Sequence, residues 1–362
     1  MKGLRMKAIK SESQHQTQLP FVSIILPIRN ESAFIARSLQ AVFTQDYPRD
    51  RYEVIVADGM SSDDTRKIVE SFGSRTCDLR LIDNPGRIVP TGLNAAIAQA
   101  RGEIIARVDG HCEIAPDYIR NCVEHLQSDC VDGVGGPLDT IGETLTAQAI
   151  ATAMSSTFGV GDSAFRTMNS KTMLTDTVAF PAYTRAAVER AGPFDEEMVR
   201  NQDDEYNYRL RKIGAKILLA SNVRSKYYSR SSLRSLWRQY FQYGYWKVRV
   251  MQKHPRQMSP RQFVPFLFVV SLLASAALCP FFITGRMLLL LVGGSYLIAN
   301  LVASILIARR KGWRLVPLLP IAFAILHLSF GVGFMVGLIK FWNRWQETGI
   351  SSIHSKEQPR YS

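Results

Sequence analysis

Three consecutive acidic residues, Asp203, Asp204 and Glu205, lie near the start of the segment NQDDEYNYRLRKIGAK, which is expected to open a helix. Acidic side chains are favoured in the first turn of a helix by the macrodipole, so capping is one explanation for them. One carboxylate would suffice for capping. The extra acids therefore indicate a site where ionisation is adjusted for proton transfer, with Arg209 following six residues after Asp203.

A carboxylate and an imidazole alternate in the segment VDGH, where Asp109 and His111 are separated by Gly110. This spacing lets both side chains reach one ion. A mixed carboxylate and imidazole pair suits Mn²⁺ better than Mg²⁺, which prefers oxygen ligands. A histidine that only makes hydrogen bonds within the loop is the alternative.

A third carboxylate, Asp58, stands in the segment ADGMSSDDT. It could accept a hydrogen bond from the imide nitrogen of a uracil base, while Gly59 and Ser61 turn the chain. The alternative is a simple helix cap, which Asp63 or Asp64 could supply without Asp58.

Short apolar runs alternate with helical periodicity around these residues. The runs FVSIILP, YEVIVA and EIIARV are typical of buried parallel strands, and Leu79 to Ile82 is a further short strand. Helices are predicted over Ser32 to Phe43, after Asp63 and Asp64, and over Thr91 to Ala100. The alternation predicts an α/β fold with a doubly wound, mostly parallel sheet. Ligands then bind beyond the carboxyl ends of the strands, where Asn30, Asp58 and Asp109 fall.

Three apolar stretches follow, at about Phe263 to Ile283, Met287 to Ala308 and Val316 to Ile339. Each has about the 20 residues that a helix needs to span a bilayer, and the alternative is three buried core helices. Basic residues flank the stretches, which suits the formal net charge of +13. By the positive-inside rule the domain before them stays in the cytoplasm and the C-terminal tail lies outside.

The segment from Leu233 to Arg249 interleaves aromatic residues with Arg234, Arg238, Lys247 and Arg249. This composition indicates a helix in the headgroup region of a membrane, and a soluble helix packed on the sheet is the alternative.

Met1 to Pro20 is polar and basic and predicts a loose tail, not a signal peptide. Five cysteines without CxxC spacing indicate reduced thiols. No nucleic-acid-binding motif accompanies the basic runs.

Five segments in order resemble the inverting family-two glycosyltransferases of GT-A fold, in particular the succinoglycan-type membrane-anchored enzymes of exopolysaccharide assembly. The resemblance runs from Val22 to about Gly337. It rests on these segments: VSIILPIRNE, VADGMSSDDT, NPGRIVPTGLNAAIAQARGEIIARVDGHCEIAPDYI, PAYTRAAVERAGPFDEEM and QDDEYNYRLRKIGAK.

The resemblance assigns roles to particular residues. It implies that Asp203 is the catalytic base and Glu205 the second catalytic acid, with Asp109 and His111 as ligands of a divalent metal, Mn²⁺ or Mg²⁺. It also implies the following substrate contacts: Pro27, Arg29, Glu31, Asp58, Asn94, Arg107, Asp109, Gln239, Gln242 and Tyr243. Two departures stand out. His111 replaces the usual second carboxylate of the DxD motif, and QYFQY stands where processive synthases carry QxxRW.

The resemblance therefore implies a hexosyltransferase that moves a sugar, with glucose the first choice, from a UDP-sugar or similar nucleotide donor to a polyprenyl diphosphate-linked saccharide. Other exopolysaccharide assembly enzymes are possible partners, and no nucleic acid is expected. The expected location is the inner membrane, in a multi-pass arrangement. A processive polysaccharide synthase and a non-catalytic membrane adaptor that binds nucleotide sugars are the alternatives.

The expected domains follow the same division. They are a tail at 1–20, the catalytic domain at 21–230, an interfacial helical segment at 231–262, three transmembrane helices at 263–341 and a polar tail at 342–362.

Overall fold

The structure is a computed structural model that describes residues 19–73, 79–161, 163–168 and 171–345. Most of the expected N-terminal tail, Cys77 and most of the C-terminal polar tail lie outside these residues. The other four cysteines are described and are free thiols, with Cys112 and Cys122 buried.

Eleven strands are formed by the described residues. Their bounds are β1 Val22–Ile28, β2 Tyr52–Asp58, β3 Leu79–Asp83, β4 Ile104–Arg107, β5 Cys112–Ile114, β6 Gly133–Gly136, β7 Leu138–Ile141, β8 Met173–Leu174, β9 Ala179–Thr184, β10 Ile217–Leu219 and β11 Ser225–Tyr228.

Eight of these strands form one sheet in the order β3-β2-β1-β4-β9-β6-β10-β8. The pairs β1–β2, β1–β4, β2–β3 and β6–β10 are parallel, whereas β9 runs antiparallel to both of its neighbours and β8 antiparallel to β10. A second sheet has the order β5-β11-β7. The predicted mostly parallel sheet is confirmed.

The helices cover both faces of the larger sheet and continue beyond it. Their bounds are α1 Ile35–Phe43, α2 Thr65–Gly73, α3 Val89–Gln99, α4 Tyr118–Ser128, α5 Leu145–Met154, α6 Thr157–Val160, α7 Ala164–Thr167, α8 Arg185–Ala191, α9 Gln202–Lys212, α10 Leu233–Lys253, α11 Val264–Leu278, α12 Ile283–Lys311 and α13 Leu319–Lys340. Short 3₁₀ helices occupy Arg49–Arg51, Pro255–Gln257, Pro260–Phe263, Trp313–Leu315 and Trp342–Arg344.

The register of the parallel strands sets the position of the site. Ile28, Asp58 and Asp83 end β1, β2 and β3 in register with one another. All seven residues of β1 and of β2 are buried, as expected for strands covered on both faces. The loops that follow β1, β2 and β4 therefore leave the sheet at the same edge.

Three helical segments at the C-terminal end are long and apolar enough to cross a membrane by length and composition: Pro260–Leu278, Ile283–Lys311 and Leu319–Lys340. They contain α11, α12 and α13. They match the three predicted apolar stretches in place, although the middle helix extends to Lys311 and so includes its basic end.

Helix α10 packs closely against α13 at glycine positions. A Cβ added at Gly333 would lie 2.1 Å from the carbonyl oxygen of Phe241, and one at Gly244 would lie 2.0 Å from that of Phe330. Only hydrogen fits at these positions, so the two backbones approach each other directly.

Two basic residues of α10, Lys247 and Arg249, were predicted to face headgroups. They are instead 5% and 1% exposed, because this half of α10 is covered by protein.

We expect the substitution Gly333→Ala to destabilise the protein by about 1–3 kcal/mol, because the added methyl group overpacks this contact. The matched control is Gly294→Ala in α12, where an added Cβ meets no atom within 4 Å among the described residues. That control should change stability by about 1 kcal/mol or less. Thermal unfolding of the purified full chain measures both. Equal melting temperatures for the two variants would contradict the close packing.

Candidate active site

A cavity of about 1150 Å³ opens at the edge of the sheet where the strands end. Its walls include the loop after β1, the turn after β4, the first turn of α9, and parts of α10, α11 and α13. A volume of this size exceeds that of most small-molecule sites. It therefore has room for two substrates at once.

Arg107 links the two acidic groups that the sequence placed in different motifs. Its guanidinium Nε lies 2.9 Å from Asp109 Oδ1, and its Nη1 donates to Asp203 Oδ1. The Arg107 side chain is 7% exposed at the end of β4. Residues 96 positions apart are thus joined in one cluster that lines the cavity.

Asp203 reaches this cluster because of the way in which α9 begins. Asn201 precedes the helix in the left-handed conformation, with φ 61°, which asparagine adopts more readily than most residues. Its side-chain amide donates to the carbonyl oxygen of Tyr243 at 2.9 Å. The first turn of α9 is thereby fixed against α10, and Asp203 points into the cavity.

The ionisation of Asp203 is set by opposing effects. Burial raises the pKa of Asp203 above its ordinary value, the positive charge of Arg107 opposes the rise, and the negative charge of Asp109 adds to it. The pKa remains raised, although 40% of the side chain faces the open cavity. A carboxylate with a raised pKa, in reach of a substrate, has the properties of a general base.

His111 lies beside Asp109 in a tight turn, in which the Cys112 amide donates to the Asp109 carbonyl at 3.1 Å. Its Nδ1 is 2.9 Å from Glu31 Oε1, and its ring contacts Tyr227 edge to face. Among the described residues, no three histidine, cysteine or acidic side chains lie together as a complete metal site. Asp109 and His111 can supply two ligands, which fits an ion that takes the others from substrate phosphate and water.

The loop after β1 forms the opposite wall. Pro27, Arg29 and Glu31 line the cavity, as do Asn84 and Arg87 from the loop after β3. Arg29 Nη1 donates to the Arg87 carbonyl at 3.3 Å, which joins the two loops.

Asp58 is not among the residues that line the cavity. It is 1% exposed, and its carboxylate accepts hydrogen bonds from the Ser61 amide and, at 2.5 Å, from the Ser61 hydroxyl. Its carbonyl accepts from the Asn84 amide at 2.8 Å. Asp58 thus joins the loops after β2 and β3, and its contact with the base of the donor stays a prediction.

Asn94 is also placed away from the cavity. Its side-chain amide nitrogen donates to the Phe194 carbonyl at 2.9 Å, and its oxygen accepts from the Phe194 amide at 2.8 Å. Asn94 on α3 thereby fixes the loop before α9, and its contact with substrate stays a prediction.

Glu205 points away from the cavity although it shares a helical turn with Asp203. It is 2% exposed, and its Oε1 lies 2.6 Å from Arg209 Nε and 3.0 Å from His254 Nε2. Burial acts to raise the pKa of Glu205, but these hydrogen bonds outweigh it and hold the pKa below its ordinary value. Glu205 thus pairs with Arg209 of the same helix and joins the start of α9 to His254 after α10, and its catalytic role stays a prediction.

Three polar residues of α10 do line the cavity: Gln239, Gln242 and Tyr243. Gln239 donates to the Tyr243 hydroxyl at 2.9 Å, and its own side-chain oxygen is buried without a hydrogen-bond partner in the part of the chain that the structure describes. Gln242 accepts from Arg200 Nε at 3.0 Å. The unsatisfied oxygen of Gln239 is a polar group that a substrate hydroxyl could satisfy.

The cavity has further residues to which the sequence assigned no role in substrate binding or catalysis. Asp204 lines it and pairs with Lys247 of α10. Arg166, Arg230 and Arg238 also line it. Arg230 and Arg238 belong to the basic run before the apolar segments, and that run could have indicated them. Nothing in the sequence around Arg166 indicates a site.

A mostly parallel sheet of this order, with Asp109 after a central strand and an acidic helix start across the cavity, defines a glycosyltransferase of GT-A type. The chain carries a family-two domain, since residues 23–191 match the family described as Glycosyl transferase family 2. It is accordingly a glycosyltransferase.

Two characterised relatives align with nearly the whole chain. One is the dolichyl N-acetyl-alpha-D-glucosaminyl phosphate 3-beta-D-2,3-diacetamido-2,3-dideoxy-beta-D-glucuronosyltransferase of Methanococcus voltae, 29% identical over 88% of this chain and 98% of the relative. The other is the succinoglycan biosynthesis protein ExoA of Rhizobium meliloti (strain 1021), 29% identical over 89% of this chain and 96% of the relative.

A solved structure with the same fold is the mannosyltransferase PcManGT from Pyrobaculum calidifontis, in complex with GDP-Man and Mn²⁺. It has a TM-score of 0.55 and 21% sequence identity, and the match covers 88% of each chain. The similarity confirms the GT-A-like architecture with its C-terminal helical region.

Proposed function

We propose that the protein is an inverting glycosyltransferase that moves a sugar from a nucleoside diphosphate donor to a lipid-linked saccharide in exopolysaccharide assembly. The observation that carries the proposal is the cluster in which Arg107 joins Asp203 to Asp109 in the wall of a cavity large enough for two substrates. A UDP-hexose, glucose first, is the proposed donor. A polyprenyl diphosphate-linked saccharide is the proposed acceptor.

The reaction is a single displacement. Asp203 takes the proton of the acceptor hydroxyl while that oxygen forms a bond to the anomeric carbon. The bond from that carbon to the nucleoside diphosphate breaks on the opposite face, so configuration inverts. Arg107 fixes the carboxylates of Asp203 and Asp109 relative to each other, which orients the base toward the acceptor.

We further propose that Asp109 and His111 hold a divalent metal, Mn²⁺ in preference to Mg²⁺. When bound, such an ion neutralises the negative charge that develops on the leaving diphosphate. The GDP-Man and Mn²⁺ complex of the Pyrobaculum mannosyltransferase supports this proposal.

If the imidazole sets the metal preference, His111→Asp should increase the rate with Mg²⁺ relative to the rate with Mn²⁺, because an oxygen ligand replaces nitrogen. The control is His125→Asp, a histidine on α4 whose side chain pairs with Asp129 and which is not among the residues lining the cavity. Rates measured after EDTA treatment and readdition of each metal test this. Activity that survives EDTA unchanged would exclude the divalent ion.

The acceptor proposal rests on the position of the cavity beside the apolar helices. Val264 and Pro265 of α11 and Leu326 and Phe330 of α13 line the same cavity as Asp203. An acceptor with a hydrocarbon chain can therefore reach the base from the membrane side. The names of the Methanococcus and Rhizobium relatives support a glycan-assembly role.

The experiment that tests this function is incubation of membranes containing the protein with a panel of radiolabelled nucleotide sugars. One label should enter the lipid fraction in a form that runs as a single added sugar. A long polymer would instead identify a processive synthase, and no transfer of any label to lipid would contradict the proposed acceptor.

A further inference from the structure

Three arginines in the cavity wall have no role in the proposed reaction. Arg166 lies on α7, Arg230 follows β11, and Arg238 lies on α10, yet all three line the same cavity. Among the described residues, none of the three has a carboxylate within ion-pair distance. In addition, Arg166 Nη1 is buried and has no hydrogen-bond partner within 19–73, 79–161, 163–168 and 171–345.

Arg166 lies beside Tyr227. The Arg166 guanidinium carbon lies 6.0 Å from the centre of the Tyr227 ring. Burial raises the pKa of Tyr227, and the positive charges of Arg230 and Arg166 both oppose that rise, as expected if both lie near its hydroxyl. Tyr227 in turn contacts His111, at 5.1 Å between ring centres. Arg166 therefore lies near the proposed reaction centre.

A buried N–H without an acceptor is unfavourable because it has lost its hydration, and cations that line one cavity make its potential positive. Such an arrangement is stabilised when an anion with several oxygen acceptors binds, and guanidinium groups match phosphate in geometry. The arginines thus have the chemistry of a phosphate site.

The neighbouring part of the cavity is apolar. It is formed by Val264, Pro265, Leu326 and Phe330, where α11 and α13 meet. A cationic wall next to an apolar wall fits an amphiphile that carries a phosphate at one end and hydrocarbon at the other.

We propose that Arg166, Arg230 and Arg238 bind the phosphate of the polyprenyl carrier, with its hydrocarbon chain against α11 and α13. This inference rests on the proposed function. The same phosphate chemistry could come from the nucleoside diphosphate of the donor, so the test separates the two sources.

The test measures the melting temperature of the full chain in detergent with polyprenyl monophosphate, polyprenol, inorganic phosphate or UDP. Wild type should be stabilised more by polyprenyl monophosphate than by polyprenol or inorganic phosphate. In Arg230→Gln and in Arg166→Gln, the apparent affinity for polyprenyl monophosphate should fall about tenfold, because a charge-assisted hydrogen bond is lost. The stabilisation by UDP should be unchanged.

The matched control is Arg234→Gln, an exposed arginine of α10 that does not line the cavity, and it should behave as wild type. Loss of the UDP effect with retention of the polyprenyl monophosphate effect would assign the arginines to the donor and overturn the proposal. Equal stabilisation of wild type by polyprenol and polyprenyl monophosphate would also overturn it. Because binding is measured without transfer, a wrong proposed reaction would leave these results intact.

A separate set of contacts concerns α13, which touches the catalytic domain along its length. Just before it, Arg314 donates to Gln148 of α5 at 3.0 Å. Within it, His327 Nε2 lies 2.9 Å from the Phe158 carbonyl of α6. Just after it, Arg344 Nη1 lies 2.9 Å from Glu197 Oε1. A helix of 22 residues is about 33 Å long, close to the thickness of the hydrocarbon core. A spanning helix could not keep both ends against the same soluble domain.

The surface of α13 agrees with this placement. From Ala322 to Leu338, none of its residues is exposed. In the most apolar stretch of 18 residues in each segment, 44% of the residues are buried in α13, compared with 11% in each of the two preceding apolar segments. The hairpin of α11 and α12 instead presents large exposed apolar side chains, among them Phe281, Ile283 and Leu290.

We infer that only the α11 and α12 hairpin inserts into the membrane, and that α13 belongs to the catalytic body. The chain after α13 then lies on the same side of the membrane as the catalytic domain. This differs from the expectation of three spans, which would put the C-terminal tail on the opposite side.

The test uses a membrane-impermeant maleimide on cells that express the full chain with S362C, with and without permeabilisation. Mass spectrometry identifies each labelled cysteine, and Cys130, exposed on the catalytic domain, is the internal reference. Residue 362 and Cys130 should become labelled under the same condition. Labelling of residue 362 in intact cells while Cys130 stays protected would establish three spans and overturn the inference.

Discussion

The variant Asp203→Asn should lose about 10²–10⁴-fold in transfer rate, because an amide cannot accept the proton of the acceptor hydroxyl. Donor binding should be nearly unchanged, since the side chain keeps its size and the loops after β1 and β4 are untouched. The rate is measured by transfer of radiolabelled sugar to lipid. Donor binding is measured by the change in melting temperature with UDP.

Asp204→Asn is the matched control, since Asp204 is adjacent in sequence, lines the same cavity and pairs with Lys247. It should lose far less activity than Asp203→Asn, because its carboxylate is engaged by a cation of α10. Normal turnover by Asp203→Asn would remove Asp203 as the base. Equal losses in both variants would indicate that the acidic turn acts through structure and not through proton transfer.

The sequence predicted the first half of the fold well, for a physical reason. Strands β1 and β2 are buried on both faces, so their residues form continuous apolar runs that stand out from the helices between them. The second half lacks that signal. Strand β6 reads GVGG, and a Cβ added at Gly136 would lie 1.4 Å from the carbonyl oxygen of Val223. Glycine is required in β6 because the backbones pack closely there, and a pattern of hydrophobic residues does not indicate that packing.

The site was predictable as motifs but not as an arrangement. Glu205 shares a motif with Asp203, but it contacts His254, which is 49 residues away, and it does not line the cavity. The distant partner of Asn94 is the backbone of Phe194. A polar residue in a motif can bind a substrate or hold a loop, and only its long-range partners distinguish these roles.

Hydropathy has a similar limit for the apolar helices. It gives the length and composition of α13, which match those of a spanning helix. It does not reveal that glycines at positions 331, 333 and 337 let neighbouring helices cover it. The covering protein, not the sequence of the helix, decides whether its apolar side chains meet lipid.

The other large effect that we expect, besides that of Asp203→Asn, is a change in the pH dependence of transfer when Arg107 is replaced. The positive charge of Arg107 lowers the pKa of Asp203, which burial and Asp109 raise. In Arg107→Gln the pKa of Asp203 should therefore rise further. A general base works only when it is deprotonated, so the acidic limb of the rate profile should move to higher pH. The rate of transfer at neutral pH should fall about 10²-fold or more, because the orientation of both carboxylates is also lost.

Arg107→Lys separates charge from geometry. It keeps the positive charge but cannot donate from a rigid fork to Asp109 and Asp203 at once. Its acidic limb should stay near that of wild type, whereas its maximal rate should still fall. If the limb of Arg107→Gln does not move to higher pH, the group that titrates in the rate profile is not next to Arg107, and the assignment of Asp203 as the base fails with it. A limb that moves equally in both variants would show that hydrogen-bond geometry, and not the charge of Arg107, controls the ionisation of the base.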